Sequence, residues 1–341
     1  MLRVAILGLG MGAAHARAYR ELANVRVVAA CDTDRERLET FARDFDVPVT
    51  SGDYREIVTR DDVDIVSVCT PDHLHAEHCR LAIQHGKHVL CEKPMVTDFD
   101  DAVDLVRLVR AHQVKFAVGN VNRFVPHFAA IKRMIDTGRL GDLFFVESDY
   151  IHDMRRVYRR TPWRVDPNHP QNAWFGGAVH PMDLVRWLAG DVEEITLYSN
   201  RCTSAPEFPL PDNYISILRF KSGCTGKVWE SSAIRRWPEH VVNLNAYGSQ
   251  GTVMANTLEM QVKAWLDPDL RGQADAALLP FVKTIGHPVR DELQAFVDCI
   301  RDGTTPLVDV VDGAKTVATL SAGLRSAAGG RPVRVPEVPL A

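Results

Sequence analysis

The sequence predicts an α/β chain: a doubly wound parallel sheet at the amino end, then an α+β domain with a large, mostly antiparallel open sheet. Three observations carry that expectation. Short apolar runs alternate with amphipathic stretches up to residue 122. A glycine-rich turn, "GLGMG" (8–12), follows the first of those runs. Beyond residue 122 the runs lengthen, and apolar and polar residues alternate within them. The length of 341 residues exceeds what one core usually supports, so two domains are expected, 1–122 and 123–341.

The first-half runs are "RVAIL" (3–7), "VRVVAAC" (25–31), "DIVSVC" (64–69), "HVLC" (88–91) and "VKFAVG" (114–119). They are apolar almost throughout, as strands covered on both faces must be. Between them, "TDRERLETFARDF" (33–45) and "DFDDAVDLVRLVRAHQ" (98–113) read as amphipathic helices. Thr33 with Glu36 three residues later predicts a capping box at the first of these. In the second half a helix, "HFAAIKRMIDTG", precedes a long strand, "DLFFVESDYI", and a Pro- and Arg-rich irregular section from 153 to 173. A helix at 181–189 leads into "EITLYSN", "YISILRF", "GKVWESSAI", "VVNLNAYG", "GTVMA" and "LEMQVKAW". Their alternation suits an antiparallel sheet with one face solvated or at an interface. Helices at 288–301 and 309–327 close the chain.

A composition of 46% apolar and 25% charged residues is that of an ordinary globular protein. The net charge of −4 gives no reason to expect nucleic acid or an anionic membrane as partner. No apolar run reaches the roughly 18 residues a membrane span needs. The opening "MLRVAILGLG" is broken by glycine too early for a secretory leader. The cysteines at 31, 69, 79, 91, 202, 224 and 299 include no Cys-x-x-Cys pair, which fits thiols in a reducing compartment better than a disulfide framework. A cytoplasmic protein is expected.

"ILGLGMGAAH" sets Gly8, Gly10 and Ala13 in G-x-G-x-x-[GA] register between a strand and a helix. The first glycine permits the tight turn, and the second lets backbone approach a pyrophosphate. The small third residue lets the helix pack close, with its amino-terminal N–H groups towards the phosphates. Asp32 ends the second strand, where a carboxylate can accept from the adenosine ribose hydroxyls. Strand, glycines, helix, strand and acid in that order predict a Rossmann-type dinucleotide domain. Gly8, Gly10, Met11 and Gly12 around the turn, with Asp32, Thr33 and Arg37, are its candidate cofactor contacts. Asp32 repels a 2′-phosphate, so NAD is expected ahead of NADP. Arg35 and Arg37 either offset that repulsion or are exposed helix charges.

The order "GLGMGAAH", "CDTD", "VCTPDHLH", "CEKP" and "HPMDLVRWLAG" resembles the glucose–fructose oxidoreductase/inositol dehydrogenase family over essentially the whole chain. The resemblance implies that Lys93 of "CEKP" reaches the reacting hydroxyl or carbonyl, with Glu92 orienting it and Pro94 fixing the turn. It also implies that Thr70, Pro71 and His75 lie beside the cofactor, and that Trp163 and Arg164 lie near the nicotinamide. Independently, a lysine at the carboxyl end of a parallel strand faces the ligand crevice, where it can polarise a substrate oxygen or pass on a proton. His73, His75, His78, His85 and His88 are close in sequence, but no ligand set is completed around them, and no metal is expected.

One motif departs from the family. Its members read Asp-x-Gly-x-His where this chain has "GGAVH", so His180 matches the histidine while Gly176 takes the aspartate position. Lys93 and His180 are left to manage the proton, unless His180 is a core histidine at a helix start. Asp183 is the candidate to orient His180; His152 and Asp153 are further candidates. "RRVYRRTPWR" holds Arg155, Arg156, Arg159, Arg160 and Arg164. It reads either as a solvated or subunit-interface loop or as a clamp for an anionic substrate. Arg123 at the domain junction serves packing or substrate contact.

The expected function is NAD(H)-dependent hydride transfer to or from a secondary alcohol of a sugar, cyclitol or derivative. Lys93, Arg123, His152, Arg164 and His180 are the candidate substrate contacts. By resemblance, the outer face of the second sheet pairs subunits into a homodimer or homotetramer. Two alternatives stand beside this: a glycosidase or lyase using transient oxidation, and a dinucleotide-binding regulator without catalysis.

Overall fold

The computed structural model describes residues 1–202, 208–235, 241–257, 261–265, 277–280 and 287–339. It divides into two compact units. The first comprises Met1–Val121, Pro288–Val317 and Val338–Ala341, and the second Asn122–His287 and Ala318–Glu337.

In the first unit β1 (Leu2–Leu7), β2 (Val25–Cys31), β3 (Val49–Ser51), β4 (Ile65–Val68), β5 (His88–Cys91) and β6 (Phe116–Val118) form a sheet in the order β3-β2-β1-β4-β5-β6. Every pairing in it is parallel. Val4 to Leu7 of β1 and Ile65, Val66 and Val68 of β4 are wholly buried, which is why these strands read as continuous apolar runs. Strand order reverses between β1 and β4, and the carboxyl ends there form the ligand crevice of such sheets. The helices α1 (Leu9–Arg20), α2 (Arg35–Phe45), α3 (Tyr54–Val58), α4 (His75–Gln84) and α5 (Phe99–His112) complete the alternation.

The expected capping box on Thr33 is not formed. Asp34 is the N-cap of α2, its carboxylate accepting from the Arg37 N–H at 3.0 Å. A carboxylate one residue nearer the helix serves the exposed N–H groups, and Thr33 is left outside. Asp98 caps α5 in the same way.

In the second unit α6 (Pro126–Asp136) leads into β7 (Leu143–Ile151). The section expected to be irregular contains a short helix, α7 (Arg155–Arg160), and a 3-10 turn over Pro162–Val165. Next come α8 (Ala173–Gly176) and α9 (Val179–Ala189), buried along almost its full length. With β7, the strands β8 (Val192–Asn200), β9 (Asn213–Phe220), β10 (Thr225–Ser231), β11 (Val241–Gly248), β12 (Gly251–Asn256), β13 (Gln261–Trp265), β14 (Ala277–Pro280) and β15 (Val333–Arg334) make one sheet, in the order β14-β13-β12-β11-β7-β10-β9-β8-β15. Among the described residues only β7 and β10 pair in parallel. Leu258 to Met260, the start of the run "LEMQVKAW", lie outside the described residues.

Period-2 alternation divides this sheet's two faces. One buries Val146, Ser148, Val228, Glu230, Tyr214 and Leu244. The other carries Ile215, Ile217 and Tyr198, together with Lys227, whose ammonium lies 3.0 Å from both Glu147 and Asp149.

The chain then returns to the first unit. α10 (Val289–Asp302) buries Leu293, Phe296 and Val297 in one cluster with Leu9, Ala16, Tyr19 and Leu22 of the first unit. For that reason the first unit is not a single stretch ending at residue 122. α11 (Val310–Gly329) contributes its first turns to that unit and the remainder to the second.

Candidate active site

In the first unit the glycine turn follows directly from β1. Gly8 has φ +83, and a Cβ there would lie 2.7 Å from the backbone of Cys69 and Thr70, so no other residue fits. Around Gly10 nothing stands within 4 Å of where a Cβ would lie, which leaves open backbone at the start of α1. The helix lies close to the strand at Gly12, one residue before Ala13: a Cβ there would meet Ile6 at 2.6 Å. Gly8 gives α1 no side-chain cap and its first turn carries no acid; the N–H of Leu9 donates to Asp32, and the N–H groups that follow it are placed to meet an anion. Met11 packs partly buried against the core.

Asp32, only 9% exposed, ends β2. Its carboxylate accepts from the N–H of Leu9 at 2.8 Å and of Asp34 at 2.9 Å. Arg37 reaches both of its oxygens at 3.2 and 3.3 Å and pairs with Asp34 at 3.0 Å, while Arg35 pairs with Glu39. Thr33 stands exposed beside them. The turn, the helix start and the buried acid together fit a dinucleotide: backbone for the pyrophosphate, carboxylate for the ribose hydroxyls.

At the ends of β4 and β5 two loops are tied together by His75, 1% exposed. Its Nδ1 lies 2.8 Å from the Pro94 carbonyl oxygen and its Nε2 2.9 Å from that of Thr70. Beside it, Nδ1 of His78 is 3.0 Å from the Thr70 hydroxyl. Burial, and then the neighbouring His75, push His78 down to about 4, so it is neutral at physiological pH. Pro71 leads into the turn that opens α4.

The Lys93–Pro94 bond is cis, and Lys93 is partly buried. Behind it runs a chain of contacts that sequence reasoning missed. Glu92 Oε1 lies 3.0 Å from Nε2 of His15; Nδ1 of His15 lies 2.9 Å from Ser67 Oγ, and the Tyr19 hydroxyl 3.3 Å from Ser67. Burial alone would raise the Glu92 carboxyl, but His15, and then Lys93, hold it below the usual range. The Lys93 N–H also donates to Glu92 Oε2 at 3.2 Å. The "GLGMGAAH" motif contained His15, but nothing in its spacing pointed across the sheet to Glu92.

In the second unit His180 stands in the first turn of α9, 3% exposed. Its ring stacks on Tyr150 at 5.3 Å and lies 6.2 Å from that of His287. His152, at the end of β7, meets Tyr150 edge-on at 6.1 Å. Asp183, on the same helix, accepts from Arg123 through both oxygens, at 2.8 and 2.7 Å, and both side chains are buried. Arg123 also lies over the Trp187 ring. The two open readings of Arg123 thus meet an interior ion pair, which holds α9 in place.

Arg164 stacks over Trp163 at 4.3 Å, donates to Thr161 at 3.1 Å and bonds to Gln171 Oε1. Gln171 was not singled out in the sequence, yet it occupies the space beside Gly176: a Cβ there would lie 2.9 Å from Gln171 Cδ and Oε1. Of the basic run, Arg155 pairs with Asp153 at 2.8 Å, while Arg156, Arg159 and Arg160 are exposed. The structure therefore gathers Gly8, Gly10, Asp32, Arg37, Thr70, His75, Glu92 and Lys93 at one end of the parallel sheet. It gathers His152 and His180 around Tyr150, and Arg164 beside Gln171 and Gly176.

The Glu92–His15 contact sets a pH dependence. A carboxyl held below its unfolded value of about 4.3 contributes stability above that pH and loses it as pH falls through the folded value. His15→Ala removes the main group holding it down, so acid unfolding of the variant, followed by circular dichroism, begins at higher pH than in the parent.

Both halves of the chain match family models: residues 2–120 an oxidoreductase family, NAD-binding Rossmann fold, and residues 132–335 its C-terminal alpha/beta domain. The chain is 30% identical to inositol 2-dehydrogenase 1 of Saccharopolyspora erythraea, over 98% of this chain and 96% of that one. It is 26% identical to the 2,7-anhydro-N-acetylneuraminate hydratase of Escherichia coli, over 99% and 98%. The structure of levoglucosan dehydrogenase in complex with NADH and levoglucosan has the same fold, with a TM-score of 0.91 at 22% identity over 98% of this chain and 99% of that one. With both domains matched in order, this protein belongs to the glucose–fructose oxidoreductase/inositol dehydrogenase family and is an NAD-dependent oxidoreductase.

Proposed function

We propose that this enzyme oxidises a secondary alcohol of a sugar, cyclitol or related derivative, or reduces the matching ketone, with Lys93 and His180 handling the hydroxyl proton. The observation that carries the reading is the placement of Lys93. It leaves the carboxyl end of β5, in the same crevice as the glycine turn, with the Glu92 carboxylate fixed behind it by His15. NAD, when bound, supplies the hydride acceptor or donor. The N–H groups from Gly10 to Gly12, with Met11, hold its phosphates. Asp32, Thr33 and Arg37 hold its adenosine end; Thr70, Pro71, His75, Glu92, Trp163 and Arg164 line the remainder. Lys93 as an ammonium polarises the substrate oxygen, and a neutral His180 accepts the hydroxyl proton or, as imidazolium, returns it. His152 and Arg164 orient the other substituents. Asp183 and Arg123 act from within, fixing the helix that carries His180.

The name of the inositol dehydrogenase relative supports a cyclitol or sugar. A second reading has a specific observation behind it. Gly176 brings no carboxylate beside His180, and one full-length relative is named a hydratase; transient oxidation followed by elimination or addition and re-reduction would leave no net NADH. The cytoplasm is the proposed compartment: all seven cysteines are free thiols, five of them buried.

With NAD+ and a panel of cyclitols, aldoses, uronates and glycosides, the enzyme is expected to produce NADH from at least one polyol. Lys93→Ala should lower kcat by about a hundredfold or more while NAD+ still binds. NAD+-dependent release or hydration of a glycoside without net NADH would put the second reading first.

Subunit pairing is proposed through the open face of the second sheet. Tyr198, Ile215 and Ile217, exposed at 67%, 42% and 56%, lie on neighbouring strands β8 and β9, with Tyr198 directly opposite Ile215. Such an apolar row on a polar face suits a self-complementary contact. Light scattering should report a dimer or tetramer, and Ile217→Asp should shift it towards smaller species.

A further inference from the structure

We propose that Glu230 is a positioning residue for His180, standing beneath the start of α9 as an uncharged carboxylic acid. The inference rests on the reading of His180 as the proton-handling group. Glu230 belongs to β10, on the face covered by the helices, and is wholly buried. The register sets it directly between Tyr150 of β7 and Tyr214 of β9. Above it lies Gly177: a Cβ at that position would stand 2.8 Å from Glu230 Cγ and Oε1, so the glycine lets the helix turn rest on the carboxyl.

Two routes lead from this carboxyl to His180. One runs along the backbone, because the His180 N–H donates to the Gly177 carbonyl at 3.2 Å. The other runs through the rings, because Tyr150, the cross-strand neighbour of Glu230, stacks on the imidazole at 5.3 Å. A side chain that supports both the turn and the stacking partner fixes where the imidazole stands.

Its protonation follows from its surroundings. Oε1 is hydrogen-bonded to Ser232 Oγ, and Oε2 is buried with no hydrogen-bond partner. The groups around it are the phenols of Tyr150, Tyr158 and Tyr214 and the carboxylate of Asp212. Arg164 acts on Tyr150 and Tyr158; His152 and His180 both meet the Tyr150 ring. Among the described residues no basic side chain pairs with Glu230. A buried carboxylate with an empty oxygen and an acid for a neighbour is unfavourable, and burial, with Asp212 adding to it, holds this carboxyl well above the usual range. As the neutral acid it supports the His180 site without placing beside it a negative charge that would favour the imidazolium.

The test uses the full-length enzyme with Glu230→Gln, the isostere of the neutral acid, and Glu230→Leu, which fills the space without polar atoms. Unfolded Glu230 loses its proton near pH 4.3 while the folded one keeps it, so the parent loses stability relative to the glutamine variant as pH rises. The ratio of their folding constants, variant over parent, should climb by up to about tenfold per pH unit between roughly pH 5 and 7. The His180 ring resonance, assigned by its loss in His180→Asn, should keep its position and titration midpoint in Glu230→Gln and be displaced in Glu230→Leu. With any substrate turned over, Glu230→Leu should lower kcat at least about tenfold with an unchanged KM for NAD+, and Glu230→Gln should match the parent. Should the leucine variant not fold, Glu230→Asp, which withdraws the carboxyl by one methylene, must displace the His180 resonance instead. A flat stability ratio, or a His180 midpoint lowered by Glu230→Gln, would show an ionised Glu230 and overturn the inference. So would an unmoved His180 resonance in the leucine or, where that fails to fold, the aspartate variant. The stability and resonance readouts need no substrate, so a panel without turnover would count against the proposed function alone.

Discussion

The contact between Glu92 and His15 is the interaction on which the first unit's site depends. Glu92 ends a buried strand and would be driven towards its neutral form by burial; the imidazole of His15 holds it as a carboxylate. His15 comes from α1, the helix that begins at the glycine turn, and it reaches Ser67 of β4 with its other nitrogen. One side-chain chain therefore joins the helix whose start is proposed to receive the phosphates, the strand that leads to Thr70, and the strand that leads to Lys93. His75 adds a second tie between the last two by spanning the Thr70 and Pro94 carbonyls. Lys93 and the cofactor cradle are thus set in one frame, and a geometry shared in this way is what hydride transfer requires of the protein.

In the second unit the imidazole of His180 is positioned by packing against its neighbours. His180 rests on Tyr150, Tyr150 neighbours Glu230, and Glu230 supports Gly177. Further along the same helix the buried Arg123–Asp183 pair holds the interior side. At Gly176, the position where the resembled motif has an aspartate, the neighbouring space is filled by Gln171, which is bonded to Arg164. In the proposed reading, a neutral amide backed by a guanidinium stands where the resembled motif would bring a negative charge.

Much of the first unit was legible in the sequence because its signals are local. Gly8 must adopt a positive φ against the backbone of Cys69 and Thr70, and Asp32 closes the second strand; both needs are met by residue types at fixed spacing. The helix of residues 98–113 and the position of Lys93 after a strand follow from the same regular alternation, whereas the strand order and the short β3 (Val49–Ser51) do not. What was not legible depends on contacts between distant residues. His15 finds Glu92 across 77 positions, and Glu230 finds Gly177 only once the β7–β10 register exists. The helix 288–301 was readable as a helix, but its packing against α1 was not, because periodicity reports which face is apolar and not what it meets. The capping of α2 by Asp34 instead of Thr33 is a local competition between two good caps, decided by one residue of spacing.

The most direct test of the account is isotopic. A polyol that reduces NAD+ is supplied with deuterium at its carbinol carbons, and the reduced cofactor is analysed by mass spectrometry and proton NMR at nicotinamide C4. The account predicts one deuterium delivered to a single face of C4 in each NADH formed, with the polyol recovered as its ketone. Reduced cofactor without deuterium, or product formed with no reduced cofactor at any stage of a single turnover, would contradict it.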